Sequence, residues 1–238
     1  MEFVCFSNQN YRRDHINGWK IVDLTSIATD STRACRFVKV NPHKFFPKHE
    51  MSLWLDGNIS FNEGLLPHLE SFNNSSKKIV GVKHPTRSCI YSEGRECKLL
   101  NKDIPGVIEE QMSSIENYGF PEEFGLTETN ILFRKHLEPN VIDMMNEWWL
   151  WIEGMSKRDQ LSFDFLRWKH QIEIGYLDQD AHGTNRAFRR GLHRSESIIR
   201  NVFAFIEAYQ MVVPGLARVV NHAYGLSKRI NRLERRIS

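Results

Sequence analysis

The segment Met51-Ser52-Leu53-Trp54-Leu55-Asp56-Gly57-Asn58 is a compact apolar run followed at once by an acidic residue. The run predicts a buried strand that stops at Asp56. Ligands of open α/β sheets bind at the carboxyl ends of strands, so this carboxylate is well placed to hold a divalent cation against a diphosphate. The alternative is a β-hairpin turn, because Asp-Gly between apolar residues is also a hairpin signal.

Strand and helix patterns alternate on both sides of this segment. Strands are predicted at 2–7, 20–24, 78–82 and 130–133. Helices are predicted from a cap at Ser31 to Pro42, at 107–118, from Pro139 to Met155 and from Asp159 to Ile172. This alternation predicts an α/β layered domain.

The composition is that of a globular chain with one main core. It has 238 residues, of which 41% are hydrophobic and 26% charged. We expect a domain over 1–190 and a helical extension over 191–238. No apolar run reaches the roughly 18 residues of a membrane span, and the N-terminus lacks a secretory pattern, so we expect a cytoplasmic protein.

The C-terminal extension contains a basic amphipathic helix over residues 216–237, with apolar residues on one side and arginines and lysines available to the other. Such a helix fits peripheral contact with the cytoplasmic membrane face or a homodimer through a short coiled coil. Packing against its own domain is the third alternative. The net charge of +3 is too small to indicate nucleic acid as a partner.

Two basic stretches are candidate phosphate contacts. Ser156-Lys157-Arg158-Asp159-Gln160 begins a predicted helix, where free N–H groups and basic side chains attract anions, and Asp159 projects a carboxylate there. The alternative is a capping motif of the Ser-x-x-Asp type. Arg33, Arg36 and Lys39 fit phosphate binding, but such a series is also typical of an exposed helix face.

Three weaker patterns complete the candidate site. Glu128 and Asn130 border a buried strand, so their polar side chains need hydrogen-bond partners. The two side chains bind each other, or they bind the hydroxyl groups of a sugar. His84, Arg87 and Tyr91 lie around a proline-containing loop that binds substrate or is merely solvated. His182, on a later polar loop, is a candidate metal ligand, although a lone loop histidine is usually not one.

These motifs occur together in an order that resembles a glycosyltransferase-like family, formerly a domain of unknown function, with plant members linked to mucilage polysaccharide. The resemblance covers roughly residues 3–190. The matching motifs are Arg33-x-x-Arg36-x-x-Lys39, Pro42-His43-x-Phe45-Phe46-Pro47, Trp54-Leu55-Asp56-Gly57-Asn58, Lys83-His84-Pro85-x-Arg87-x-Cys89-Ile90-Tyr91, Glu128-x-Asn130 and Ser156-Lys157-Arg158-Asp159-Gln160-Leu161-Ser162-Phe163.

The family resembles transferases with a GT-A fold, a Rossmann-like mixed sheet flanked by helices. That resemblance implies a metal-dependent glycosyltransferase that moves a sugar from a nucleotide-sugar donor, UDP-linked, to a glycan or lipid-linked acceptor in polysaccharide biosynthesis. It implies Mn²⁺ or Mg²⁺ held by Asp56, Asn58 and His182. In the Asp-x-Asp metal motif of such transferases, the second position is an aspartate, and this chain has Asn58 there. The amide oxygen of asparagine can still coordinate a cation, but it lacks the negative charge of a carboxylate.

The same resemblance implies roles for the other motifs. Asp159 and Glu128 are expected to be catalytic, with Asp159 beside the anomeric carbon as charge stabiliser, base or nucleophile. His84, Arg87 and Tyr91 are expected at the acceptor. The expected donor contacts are Arg33, Arg36, Lys39, Asn130, Lys157, Arg158 and Gln160. Two other functions remain open, a non-catalytic membrane- or partner-binding module and a metal-dependent hydrolase on the same fold.

Overall fold

A computed structural model describes residues 1–9, 13–25, 27, 30–177 and 187–191. The chain divides into two compact units, one of residues 1–54 and 75–177 and one of residues 55–74 and 178–238. The predicted helices beyond residue 191, the tail over 216–237 and His182 lie outside the described residues. The boundary predicted at residue 190 therefore stays a prediction. No helix within the described ranges is long and apolar enough to cross a membrane.

The first unit contains two β-sheets and helices that cover them. Its elements, in chain order, are β1 Val4–Ser7, β2 His15–Ile16, β3 Trp19–Asp23, α1 Ser31–Val40, α2 Pro42–Phe45 and β4 Ser52–Leu55, whose last residue begins the second unit. The second unit has β5 Ile59–Phe61 and α3 Leu65–Asn74. The first unit continues with β6 Ile79–Lys83, α4 Ile90–Leu99, α5 Pro105–Asn117, β7 Thr127–Arg134, α6 Pro139–Gly154, α7 Gln160–Lys169 and β8 Ile174–Tyr176.

The larger sheet of the first unit is mixed, with strand order β4-β7-β6-β8. Strand β6 runs antiparallel to β7 and parallel to β8. A smaller sheet has the order β1-β3-β2, in which β1 and β3 are parallel. The predicted α/β class, with mixed sheets flanked by helices, is confirmed.

The core of the first unit lies between the mixed sheet and helices α6 and α7. Trp148, Phe163 and Phe165 are fully buried in it. Helix α6 begins with Pro139 at its first turn, as the sequence predicts, because proline has no N–H to lose there. Helix α1 begins one residue earlier than a Ser31 cap would allow, since the side chain of Asp30 accepts from the N–H groups of Thr32 and Arg33.

The second unit pairs β5 with β9 (Phe188–Arg190) in an antiparallel two-stranded sheet. The turn after Asp56 is closed by the Ile59 N–H, which donates to the Asp56 carbonyl over 2.8 Å. Strands β4 and β5, on either side of this turn, belong to different sheets. The hairpin alternative for Asp56-Gly57 is therefore wrong.

Candidate functional site

A buried ion cluster joins helix α1, strand β7 and the start of helix α7. Lys39 Nζ lies 2.5 Å from Asp159 Oδ2, and Arg36 Nε lies 3.1 Å from Asp159 Oδ1. Thr129 Oγ1 donates to Asp159 Oδ2 over 2.8 Å and accepts from Lys39 Nζ over 3.2 Å. Lys39 is 0% exposed and Asp159 2% exposed. Four residues from three separate motifs of the sequence thus form one site.

The electrostatics of this cluster decide the charge of Asp159. Burial alone would raise the pKa of its carboxyl group, but the positive charges of Arg36 and Lys39 outweigh burial and hold the pKa well below its ordinary value. Asp159 is therefore ionised at neutral pH. The exposed-face alternative for the α1 basic series is wrong for Arg36 and Lys39, because both side chains point into the protein.

The loop before α7 is held in place on two sides. The Asp103 carboxylate accepts from the Ser156 hydroxyl over 2.8 Å and from the Lys157 N–H over 2.9 Å. On the other side, Asp30 Oδ2 lies 3.3 Å from Lys157 Nζ. Arg33 Nη2 donates to the Met155 carbonyl over 3.0 Å. These bonds order the loop that presents Asp159.

The capping alternative for Ser156 is wrong. The residue that precedes α7 is Asp159, and its side chain makes no capping hydrogen bond. Its carboxylate is instead committed to Lys39 and Arg36, while its carbonyl accepts from the indole N–H of Trp148 over 2.9 Å. Asp159 and Trp148 are both buried.

Helix α7 carries a second buried carboxylate, that of Asp164, which also binds β7. Asp164 is 0% exposed and accepts from the Thr127 N–H over 2.7 Å and from its hydroxyl over 2.8 Å. Arg167 Nε donates to Asp164 Oδ1 over 2.5 Å. The Gln160 side chain donates to the Thr127 carbonyl over 3.0 Å. Two threonines of β7, Thr127 and Thr129, therefore bind Asp164 of α7 and Asp159 directly before it, which attaches the helix to the strand.

The opposite face of β7 carries Glu128 and Asn130, both partly exposed. Asn130 Nδ2 donates to Glu128 Oε2 over 3.3 Å. The Oδ1 atom of Asn130 is buried and has no hydrogen-bond partner among the described residues. A buried acceptor without a partner costs free energy unless a ligand or water satisfies it. This pair therefore has the chemistry to receive a hydroxyl group.

The predicted acceptor residues lie around the start of α4. His84 Nδ1 accepts from the Arg87 N–H over 3.0 Å, and Arg87 Nε lies 2.5 Å from Glu93 Oε2. Glu93 is 5% exposed, so this ion pair anchors the loop. Tyr91 is on a helix rather than in the loop, and its hydroxyl donates to the Phe120 carbonyl over 2.8 Å. Pro85 and Thr86 in this loop are exposed, so substrate binding and simple solvation both stay predictions for it.

Arg158 adds a further positive charge near Asp159. Its charge acts on both Asp159 and Cys97, and its Nε atom is buried without a hydrogen-bond partner in the described ranges. Burial is the main cause that raises the pKa of Cys97 to about 11, so this thiol is not a nucleophile at neutral pH.

In the second unit, Asp56 and Asn58 are partly exposed at the turn after β4. Asn58 Nδ2 donates to the Gly191 carbonyl over 3.0 Å, so its amide oxygen is the atom with ligand chemistry. Among the residues that the structure describes, no three His, Cys, Asp or Glu side chains converge on one point.

Sequence reasoning missed several residues that build the site. Thr129, Asp30 and Asp103 were not expected to take part, although each holds a predicted residue in place. Asp30 carried a usable signal, since an acidic residue before Ser31-Thr32 is a good helix cap. Asp103 carried none, because its partners lie more than fifty residues away in the chain.

The ion cluster predicts how the free energy of unfolding depends on pH. The pKa of Asp159 is lower in the folded state than its ordinary value of 3.8, so its contribution is present at neutral pH and is lost as pH falls through the folded pKa. We expect the free energy of unfolding to drop more steeply between about pH 4 and pH 2 than in the variant Lys39→Met/Asp159→Asn. Urea denaturation at several pH values measures this. Equal slopes would contradict it.

Comparison with known proteins places this geometry in a family. The apo crystal structure of mouse Xyloside xylosyltransferase 1 matches with 14% sequence identity and a TM-score of 0.43. That match covers 67% of this chain and 62% of the mouse chain, so this chain spans less than two thirds of its length. No curated protein matches. A model of the TOD1/MUCI70, glycosyltransferase-like domain matches residues 4–179. The chain therefore belongs to the TOD1/MUCI70 glycosyltransferase-like family, as the resemblance of its motifs implies.

Proposed function

We propose that this protein transfers a sugar from a nucleotide-sugar donor, with UDP as the nucleotide, to a glycan or lipid-linked acceptor in cytoplasmic polysaccharide biosynthesis. The observation that carries the proposal is the convergence of several basic side chains in the ion cluster. Asp159 contacts both Arg36 and Lys39, and Arg158 adds positive charge nearby. Basic side chains at such a site suit the diphosphate that leaves in the transfer.

Arg36 and Lys39 have different parts in this proposal. The side chain of Arg36 keeps 14% of its surface exposed, whereas that of Lys39 keeps 1%. Arg36 is therefore the cation that reaches a bound phosphate, through its planar fork of donors. Lys39 is too deeply buried to contact the phosphate and contributes only its positive charge.

Asp159 is better suited to hold these cations than to remove a proton. Its pKa is held well below the ordinary value and both of its oxygens have cationic partners. A general base works best with a pKa near the operating pH. We therefore assign Asp159 the role of a positioning residue.

Glu128 is the carboxylate that we place against the transferred sugar. Sugar transfer passes through an oxocarbenium-like state, which a nearby carboxylate stabilises. Glu128 lies on the partly exposed face of β7, beside the unsatisfied Oδ1 of Asn130. That oxygen is suited to accept a hydrogen bond from a sugar hydroxyl.

A divalent cation, Mn²⁺ or Mg²⁺, fits the donor set of the second unit. Asp56 offers a carboxylate and Asn58 an amide oxygen, and Mg²⁺ is commonly held by one or two carboxylates together with substrate phosphates. These two residues would hold the ion. When bound, it would supply positive charge to phosphate oxygens.

Titration of nucleotides tests the proposal. We expect UDP to bind more tightly in the presence of manganese than in its absence, and Asp56→Ala to lower the manganese-dependent affinity by about tenfold or more while the fold stays intact. Isothermal titration with UDP, GDP and ADP, followed by an assay for slow hydrolysis of UDP-sugars, measures both effects.

Glu63→Ala is the matched control, since Glu63 is exposed in the same unit as Asp56. It is expected to bind UDP like the wild type. Absence of binding to every nucleoside diphosphate, with or without manganese, would contradict the proposal. Hydrolysis of sugar phosphates without nucleotide affinity would favour the hydrolase instead.

A further inference from the structure

An open cleft lies at the end of α7 farthest from Asp159. Its volume is about 700 Å³, and its walls come from the end of α5, the loop before β7 and the segment from α7 to β8. Three aromatic side chains line it, namely Tyr118, Phe124 and Trp168. Tyr118 is 54% exposed, which is unusual for so large a ring. A volume of this size is typical of ligand sites.

The charged side chains of the cleft already have protein partners. Arg167 pairs with the buried Asp164, and Lys169 Nζ lies 2.6 Å from Glu147 Oε1. Glu173 pairs with Lys77. Because each charge is balanced within the protein, the cleft does not require a charged ligand. What the cleft offers a ligand is exposed aromatic surface, together with side-chain hydrogen-bond donors and acceptors.

Two of the same charged groups lie against the aromatic rings. Lys169 Nζ lies 5.1 Å from the centroid of the Tyr118 ring, and the guanidinium carbon of Arg167 lies 4.4 Å from that of Phe124. Such contacts stabilise a ring at the surface. A ring that is already supported by neighbouring groups loses less conformational entropy when a ligand stacks on it.

The end of α7 forms one edge of the cleft. Gln171 lines the cleft in a left-handed conformation, with φ of 54°, and the Ile172 N–H donates to the Arg167 carbonyl over 2.8 Å. This is a common way for a helix to end. It turns the chain after α7, so that Gln171, Ile172 and Glu173 also line the cleft.

The cleft adjoins the loop predicted to meet the acceptor. Phe124 lines the cleft, and the next residue, Gly125, donates its N–H to the Ser88 carbonyl over 2.9 Å. Ser88 directly follows Arg87, whose backbone N–H binds His84. A ligand that extends from the His84 and Arg87 loop thus has an adjoining surface to lie on.

We propose that this cleft binds a neutral stretch of the acceptor glycan, several sugar units from the point of transfer. Sugar rings present C–H faces that stack on aromatic side chains and hydroxyls that bond to polar heads, and the cleft provides both. An apolar peptide helix would need a continuous apolar face, which the charged heads interrupt. This inference rests on the proposed glycosyltransferase function.

Binding of neutral oligosaccharides tests the inference without any need for turnover. The full-length protein is mixed with cellohexaose or xylohexaose, with hexagalacturonate as the charged comparison, and saturation-transfer NMR with titration gives the affinity. We expect the neutral hexasaccharides to bind and Tyr118→Ala to weaken them about 5- to 10-fold, the loss expected for one aromatic contact. Tyr118→Phe keeps the ring and is expected to restore binding.

Leu99→Ala is the matched control, because Leu99 is similarly exposed at 50% and lies outside the cleft. It is expected to bind like the wild type. No binding of either neutral hexasaccharide, equal affinity in Tyr118→Ala, or a clear preference for hexagalacturonate would overturn the inference.

Parallel titration with UDP separates this inference from the proposed function. If UDP binds and the hexasaccharides do not, the cleft proposal fails while the transferase proposal stands. If the hexasaccharides bind through Tyr118 and no nucleoside diphosphate binds, the cleft is a carbohydrate site and the transferase proposal fails. Tyr118→Ala should leave the UDP affinity unchanged, since Tyr118 belongs to neither the ion cluster nor the Asp56 turn.

Discussion

Replacing Asp159 by asparagine is expected to lower the free energy of unfolding by about 3 to 5 kcal/mol at pH 7, the range for a buried ion pair broken from one side. Lys39 would then keep its charge at 0% exposure without the anion that compensates it. Arg36 is more exposed and is expected to contribute less to the loss. Chemical denaturation followed by circular dichroism measures the effect.

A double-variant cycle distinguishes a lost ion pair from simple damage to the core. Lys39→Met removes the buried charge, so Lys39→Met/Asp159→Asn should be clearly more stable than the sum of the two single losses. Asp143→Asn, on the exposed face of α6, is the matched control and should change stability by no more than about 0.5 kcal/mol. Additive losses in the cycle would show that Lys39 and Asp159 are not coupled.

Glu128→Gln is expected to reduce sugar transfer and donor hydrolysis by about 100-fold or more, the scale of losing one acid–base or charge-stabilising group. The substitution keeps the size of the side chain and an oxygen that accepts from Asn130. Stability and UDP affinity should therefore stay near those of the wild type. Release of nucleoside diphosphate from a UDP-sugar, measured with saturating donor, reports the change in kcat.

The matched control for this variant is Glu153→Gln, an exposed glutamate on α6 outside the proposed site. It should retain wild-type rates. If Glu128→Gln were fully active with every donor that binds, Glu128 would have no part in the chemistry. If the variant unfolded instead, urea denaturation would show it, and Asn130→Ala would test the same face of β7.

The regular elements were largely predictable because their patterns are local. The apolar run before Asp56 became β4. The helix predicted from Pro139 to Met155 became α6, which buries Val141, Met144 and Trp148. Helix α4 was not predicted. It has charged residues throughout and buries Glu93, so it shows no simple apolar stripe.

The arrangement of the candidate site was only partly predictable. Arg36, Lys39 and Asp159 were each singled out, but nothing local shows that they contact each other, since the pairs are separated by more than one hundred residues of chain. The burial of Lys39 depends on β7, whose Thr129 shares the same carboxylate. The sequence of a helix does not show whether the side chain of a basic residue points to solvent or into the core.

The packing of α7 has a consequence for acceptor length. Every residue from Gln160 to Arg167 is buried, and Thr127 and Thr129 hold the helix to β7 through two acids. The helix therefore has no room to slide or rotate. From Asp159 to Trp168 it spans about 14 Å at 1.5 Å per residue. If the donor binds at one end of α7 and a glycan at the other, the distance between the two sites is constant. Short oligosaccharides would then be poor substrates, because they cannot reach both ends.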